Sequence, residues 1–117
     1  MYINGQAVAL PQNIGIASNQ SCIYWLHTHD TSGVIHIESP TQKIYTLGNF
    51  LNIWQQRFSS LGYPSQLSQS AGWKIYVNGK AYNGSIPSIP LNAHTLITLA
   101  YNSPNAQPDT TYNWNGL

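Results

Sequence analysis

The side chains with the most chemistry to offer sit together: His27, His29, Asp30, His36 and Glu38. Neutral imidazoles, helped by a carboxylate, are the natural donors for a borderline-soft divalent ion such as copper or zinc. Side chains two apart on a strand share a face, so His27 goes with His29 and His36 goes with Glu38. Whether the two pairs meet depends on the parity of the loop drawn from Asp30-Thr31-Ser32-Gly33. A loop of two or four residues sets His27 opposite His36, with opposed Cβ atoms about 4.5–5.5 Å apart. That spacing suits metal–nitrogen bonds of about 2.0–2.1 Å. A three-residue loop would slip the register by one and send His36 to the other face. Short even loops dominate tight hairpins, which favours convergence.

The expected ligand set is His27, His29 and His36, with Glu38 as a fourth ligand or as an acceptor that orients an imidazole. Copper or zinc is the expected ion, and its binding should weaken in acid because ligating imidazoles must be neutral. His-x-His on one strand facing a third His on its neighbour resembles the zinc site of α-carbonic anhydrases in geometry alone. The cupin pattern fails, because its Glu follows His-x-His after only a few residues. Two other readings stand beside metal binding. The histidines could be a solvated, hydrogen-bonded strand face, leaving a recognition module for protein or glycan. They could instead hold a zinc-bound water for hydrolase or lyase chemistry, with Glu38 as the one available base.

The elements that position these residues are short and well punctuated. Asn4-Gly5 joins Met1–Ile3 to Ala7–Leu10, and Asn78-Gly79 joins Trp73–Val77 to Lys80–Tyr82. Asn-Gly tolerates the positive φ of tight hairpin turns. Ile23–His29 and Val34–Ser39 read as the histidine hairpin, closed by Pro40. Thr46–Ser59 reads as the helix, capped by Thr46 and stopped by Gly62 and Pro64. Its stripe of Leu47, Phe50, Leu51, Trp54 and Phe58 should face the core. Leu96–Tyr101 is the last strand. The expected architecture is α+β: a small antiparallel or mixed sheet crossed by one amphipathic helix, within a single domain over 1–101. Residues 102–117 read as an extended polar tail. The short first strand suggests a missing start, or an edge completed by a partner chain or second copy.

The remaining candidates carry bland expectations. Cys22 reads as a buried inert thiol. Trp25, Tyr24, Trp73 and Tyr76 read as core packing. His94 reads as a lone capping or core group, and Asp30 as the acceptor closing its own turn.

Composition narrows the partners. In 117 residues there are four Lys and Arg, three Asp and Glu, and a net charge of +1. The lack of a basic cluster argues against nucleic acid and against electrostatic membrane docking. The sequence has no apolar run near the roughly 18 residues that span a bilayer. The single Cys excludes a thiolate zinc cluster.

The run Cys22-Ile-Tyr-Trp-Leu-His-Thr-His-Asp-Thr-Ser-Gly-Val-Ile-His-Ile-Glu-Ser-Pro, continuing to Tyr45-Thr-Leu-Gly-Asn-Phe, resembles a family of small, largely uncharacterised bacterial proteins that are secreted or membrane-tethered. The likeness covers roughly Tyr2 to Leu99. It implies an extracytoplasmic (periplasmic or secreted) location. It also implies an upstream strand with a further His and a further Cys, the latter a disulfide partner for Cys22. Gly72-Trp-Lys-Ile-Tyr-Val-Asn-Gly-Lys with the last strand resembles the closing half of secreted β-grasp modules, so a β-grasp-like fold is implied. The function expected from these readings together is a non-enzymatic metal-binding domain.

Overall fold

The computed structural model describes residues 1–17 and 22–117. Both Asn-Gly pairs form two-residue turns with positive φ, at 52° and 82° for Asn4 and Gly5 and at 53° and 81° for Asn78 and Gly79. They close the hairpins β1 (Tyr2–Ile3) with β2 (Gln6–Ala7) and β5 (Trp73–Val77) with β6 (Lys80–Ala81). Between them in sequence lie the histidine hairpin, β3 (Leu26–His27) with β4 (His36–Ile37), and the helix α1 (Leu47–Arg57). The last strand is β7 (Ile97–Tyr101).

The main sheet has five strands in the order β2-β1-β7-β5-β6. It is mixed: β1 runs parallel to β7, whereas β5 and β7 are antiparallel, with Ile75 opposite Leu99. The first strand is therefore not an edge, contrary to the expectation that another chain could complete it there. Its pairing with the last strand places it inside the sheet, and the open edges fall to β2 and β6.

The helix is shorter than its apolar stripe suggests. It ends at Arg57, because Phe58 leaves helical geometry (φ −132°, ψ 24°) and a 3-10 turn over Ser59–Leu61 follows. At its start Thr46 Oγ1 accepts from Asn49 N–H, and the Asn49 carboxamide oxygen accepts from Thr46 N–H. This reciprocal cap satisfies two otherwise orphaned donors. Leu47, Phe50, Leu51 and Trp54 are buried and share one core with Leu26 of β3, Leu99 of β7, Ile14, Ile86 and Ile89. The result is a compact α+β fold.

Residues 102–117 turn back over the body. Asp109 N–H donates to Thr98 Oγ1 at 3.0 Å, and Ser103 is buried. The His94 ring stacks on Trp114 with centroids 4.6 Å apart, and His94 Nε2 is hydrogen-bonded to the Leu117 carbonyl. His94 is exposed, so it clips the tail from outside rather than serving the core.

A histidine and glutamate cluster on the β3–β4 hairpin

The β3–β4 ladder pairs Leu26 with Ile37 and His27 with His36. That register counts four residues, Asp30 to Gly33, into the loop, the even parity that brings His36 to the side of His27. The turn is built by its own residues. Asp30 Oδ1 accepts from Ser32 N–H and from Ser32 Oγ–H, and Gly33 sits at φ +88°. Those hydrogen bonds hold the Asp30 carboxyl below its ordinary range.

The hairpin pairing reaches one bond past the strands, Glu38 N–H donating to Trp25 O at 2.8 Å, and the other edge of β3 is bonded too. Tyr24 N–H donates to Gly15 O at 2.7 Å and Thr28 N–H to Ile14 O at 2.9 Å. The segment through Ile14 and Gly15 thus covers the outer edge of β3. Thr28 is itself buried, its hydroxyl donating to Pro11 O and accepting from Ile14 N–H. Gly15 makes this approach possible. A Cβ there would lie 2.4 Å from Leu26 O and 2.9 Å from the Cβ of His27, and its φ is +82°.

His27 is consequently almost fully buried, at 1% exposure. Its Nδ1 lies 2.7 Å from Tyr24 O. A carbonyl only accepts, so Nδ1 carries the proton and neutral His27 presents a bare Nε2 to the cluster. That Nε2 lies 3.2 Å from His29 Nε2 and 3.3 Å from Glu38 Oε1. Donor atoms of His27, His29 and Glu38 all lie within 4.8 Å of one another, so this group could hold a metal ion. Lone pairs gathered in this way need positive charge among them, either a proton or a metal ion. Ligands bound at about 2.0–2.1 Å in a tetrahedron stand about 3.3 Å apart, close to the two separations at His27 Nε2.

His36 adds a third ring outside that donor trio. Its ring is stacked on His27, with centroids 5.7 Å apart and planes 7° apart. It stands edge-on to His29 at 4.4 Å. Partial burial, then the neighbouring His29 and His27, lower its pKa from the ordinary value, while Glu38 and Asp30 oppose the shift. His29 and Glu38 are exposed, so the cluster has a buried root and an open face.

Two neighbouring residues depart from expectation. Cys22 is exposed rather than buried. Trp25, in the bend just before β3, is 50% exposed, covered on one flank by an edge contact with Tyr45. Of the other aromatics, Trp73 packs against the core and Tyr101 and donates its indole N–H to Gln66 O, Tyr24 meets Phe58 edge-on, and Tyr76 is half-buried between core-packing Ile75 and Val77.

The chain matches no family model, no curated protein and no solved structure. Among the described residues, no helix is long and apolar enough to cross a membrane.

Proposed function

We propose that this domain binds one copper or zinc ion through His27, His29 and Glu38, with His36 as the fourth ligand, and that its role is non-enzymatic. The supporting observation is the His27 ring. Its Nδ1 proton is committed to Tyr24 O, which leaves Nε2 facing two further donors at 3.2 and 3.3 Å. Backbone anchoring of the far nitrogen is how proteins orient ligating imidazoles. His36 stands beside this trio, its ring stacked on His27 and edge-on to His29. Rings sharing a tetrahedral ion have centres roughly 5 Å apart, and those of His27, His29 and His36 stand 4.4 to 5.7 Å apart.

Two finer readings belong to the same proposal. The strand order β2-β1-β7-β5-β6, with α1 between the two hairpins of the sheet, supports a β-grasp-like architecture. The likeness to secreted and membrane-tethered bacterial proteins supports work outside the cytoplasm, where the exposed Cys22 could meet a disulfide partner.

One observation favours a second reading. Two His and one Glu with an open face are also the donor set of catalytic zinc sites. His36 beside them would then act as a base on bound water instead of as a ligand.

Titration of tag-free, metal-stripped protein with Cu(II) and Zn(II) tests the proposal. One equivalent should bind, and His27→Ala and Glu38→Gln should each weaken binding by tenfold or more. Variants that bind as wild type does would remove the site. If His36→Ala leaves affinity intact but abolishes ester hydrolysis by the zinc-loaded protein, the catalytic reading replaces the non-enzymatic one.

A further inference from the structure

The large apolar side chains of residues 110–117 are Tyr112, Trp114 and Leu117. All three line a cavity of about 770 Å³, whose lining also includes the buried Leu51 of α1, Leu91 and Leu99 of β7. Asn113, between Tyr112 and Trp114, is exposed and takes no part in the lining, as expected of an extended stretch that turns alternate side chains inward. This part of the apolar interior is therefore covered by a segment of the same chain. The space beneath is far larger than the voids that packed interiors leave, so the segment covers the cavity without filling it.

Little else holds the segment. Its last anchor on the sheet is the bond from Asp109 N–H to Thr98 Oγ1 at 3.0 Å. Beyond that point, among the described residues, its one hydrogen bond to the rest of the chain joins the Leu117 carbonyl to His94 Nε2. Its remaining bonds are internal, from Leu117 N–H to Trp114 O and from Asn115 N–H to Asn113 Oδ1. The His94 ring also stacks on Trp114, with planes 11° apart. The hydrogen bond and the stack thus belong to one exposed side chain. His94 itself is firmly mounted. Next to it Thr95 Oγ1–H donates to Asn92 O at 2.7 Å and Leu96 N–H to Asn78 Oδ1 at 2.9 Å. Segments held by so few contacts open locally while the core stays shut.

We propose that residues 110–117 are a releasable strap, hinged at Asp109 and latched by His94, and that its release opens the apolar cavity. The device does not depend on the metal cluster.

The test uses the full chain, stripped of metal with chelator, in a Cys22→Ser background. Leu51→Cys places a thiol in the cavity wall. Ile14→Cys places one in the core, where Ile14 is fully buried and takes no part in the cavity lining. Alkylation by iodoacetamide reads how often each thiol is exposed. His94→Gly removes the latch and takes the φ of +57° at this position without strain. It should speed labelling of Leu51→Cys about tenfold, the combined worth of one stack and one hydrogen bond. Trp114→Ala should also speed it, and the two together should give less than the product of the single effects, because they share the stack. Labelling of Ile14→Cys should not change. Leu91→Cys replaces Leu51→Cys as reporter if far-ultraviolet dichroism shows the latter unfolded. No acceleration by His94→Gly, equal acceleration at the cavity and core thiols, or multiplying effects of the two variants would overturn the proposal.

Discussion

Tyr24 sets the state of His27. The carbonyl of Tyr24, three residues away along the chain, accepts from His27 Nδ1–H at 2.7 Å, so the ring can offer only Nε2 to the cluster. The ring cannot turn over to exchange nitrogens without losing this bond in a buried place. A preset tautomer lowers the cost of ordering a ligand and so raises affinity.

Gly15 keeps that arrangement in place, which makes it a sensitive position remote from the donors themselves. Gly15→Ala would put a methyl 2.4 Å from Leu26 O and 2.9 Å from the Cβ of His27, at φ +82°. Both backbone strain and overpacking oppose it, together about 2–4 kcal/mol. Urea denaturation should show that loss in metal-free protein. Calorimetric titration should show weaker metal binding as well, since His27 is the group displaced. By contrast Gly5→Ala, where a Cβ meets nothing within 4 Å, should carry only the cost of its φ of +82° and leave metal affinity unchanged.

His36 gives metal-free protein a defined acid response. Burial first, then His29 and His27, hold its pKa below the ordinary value. The unfolded chain, with an ordinary imidazole, takes up a proton first as pH falls through about 6.5. The folded state takes it up only at lower pH. This contribution to stability is therefore complete above the unfolded pKa. It is lost as pH falls from there to the depressed folded value, and is constant below that. Thermal midpoints of metal-free protein between pH 7.5 and 5 should fall with acid, and His36→Asn should flatten that part of the profile. An equally steep profile in the variant would assign the response to other groups.

The parts of this molecule carried by local chemistry were legible in the sequence. Asn4-Gly5 and Asn78-Gly79 act through the φ values of two residues, and both form the turns expected of them. The helix stripe acts through a 3.6-residue period, and its four leading positions are buried. The pairing of His27 with His36 follows from counting loop residues. What escaped was non-local. The parallel pairing of Tyr2 with Ala100 joins the two ends of the chain, and no local pattern marks it. Trp25 and Cys22 lie exposed because exposure depends on which element covers a strand end, not on residue type. Glu38 was placed at the site by strand parity, but its closer role than His36 beside His27 Nε2 depends on side-chain reach. Gly15 left a signal only in hindsight: a glycine flanked by Ile14 and Ile16, where a strand would avoid one.

The helix start offers a prediction about stability alone. Thr46→Ala removes the acceptor for Asn49 N–H and should cost about 1 kcal/mol. Asn49→Ala removes the reciprocal bond, and the double variant should cost less than the sum of the two, since they share one cap. Denaturation curves for the three proteins measure this coupling. Metal binding should be unchanged in all three, because the cap touches none of the cluster.

The loop itself can be used to separate geometry from composition. Deleting Ser32 alone leaves every histidine and Glu38 in the chain but makes the loop three residues long, so His36 and Glu38 move together to the opposite face from His27. Metal binding should drop by at least tenfold. Deleting both Thr31 and Ser32 shortens the loop further, yet leaves Asp30-Gly33, a two-residue turn of the preferred kind, and restores even parity. The His27–His36 pairing should then return, and with it affinity near that of the parent. A graded loss, with the double deletion worse than the single, would mean that loop length acts through stability and that the register of the hairpin does not control the site. Nitrogen-15 shifts of the His27 ring report the outcome independently of affinity: the bound form should show a protonated Nδ1 and a coordinated Nε2 in the parent and the double deletion, and neither signature in the single deletion.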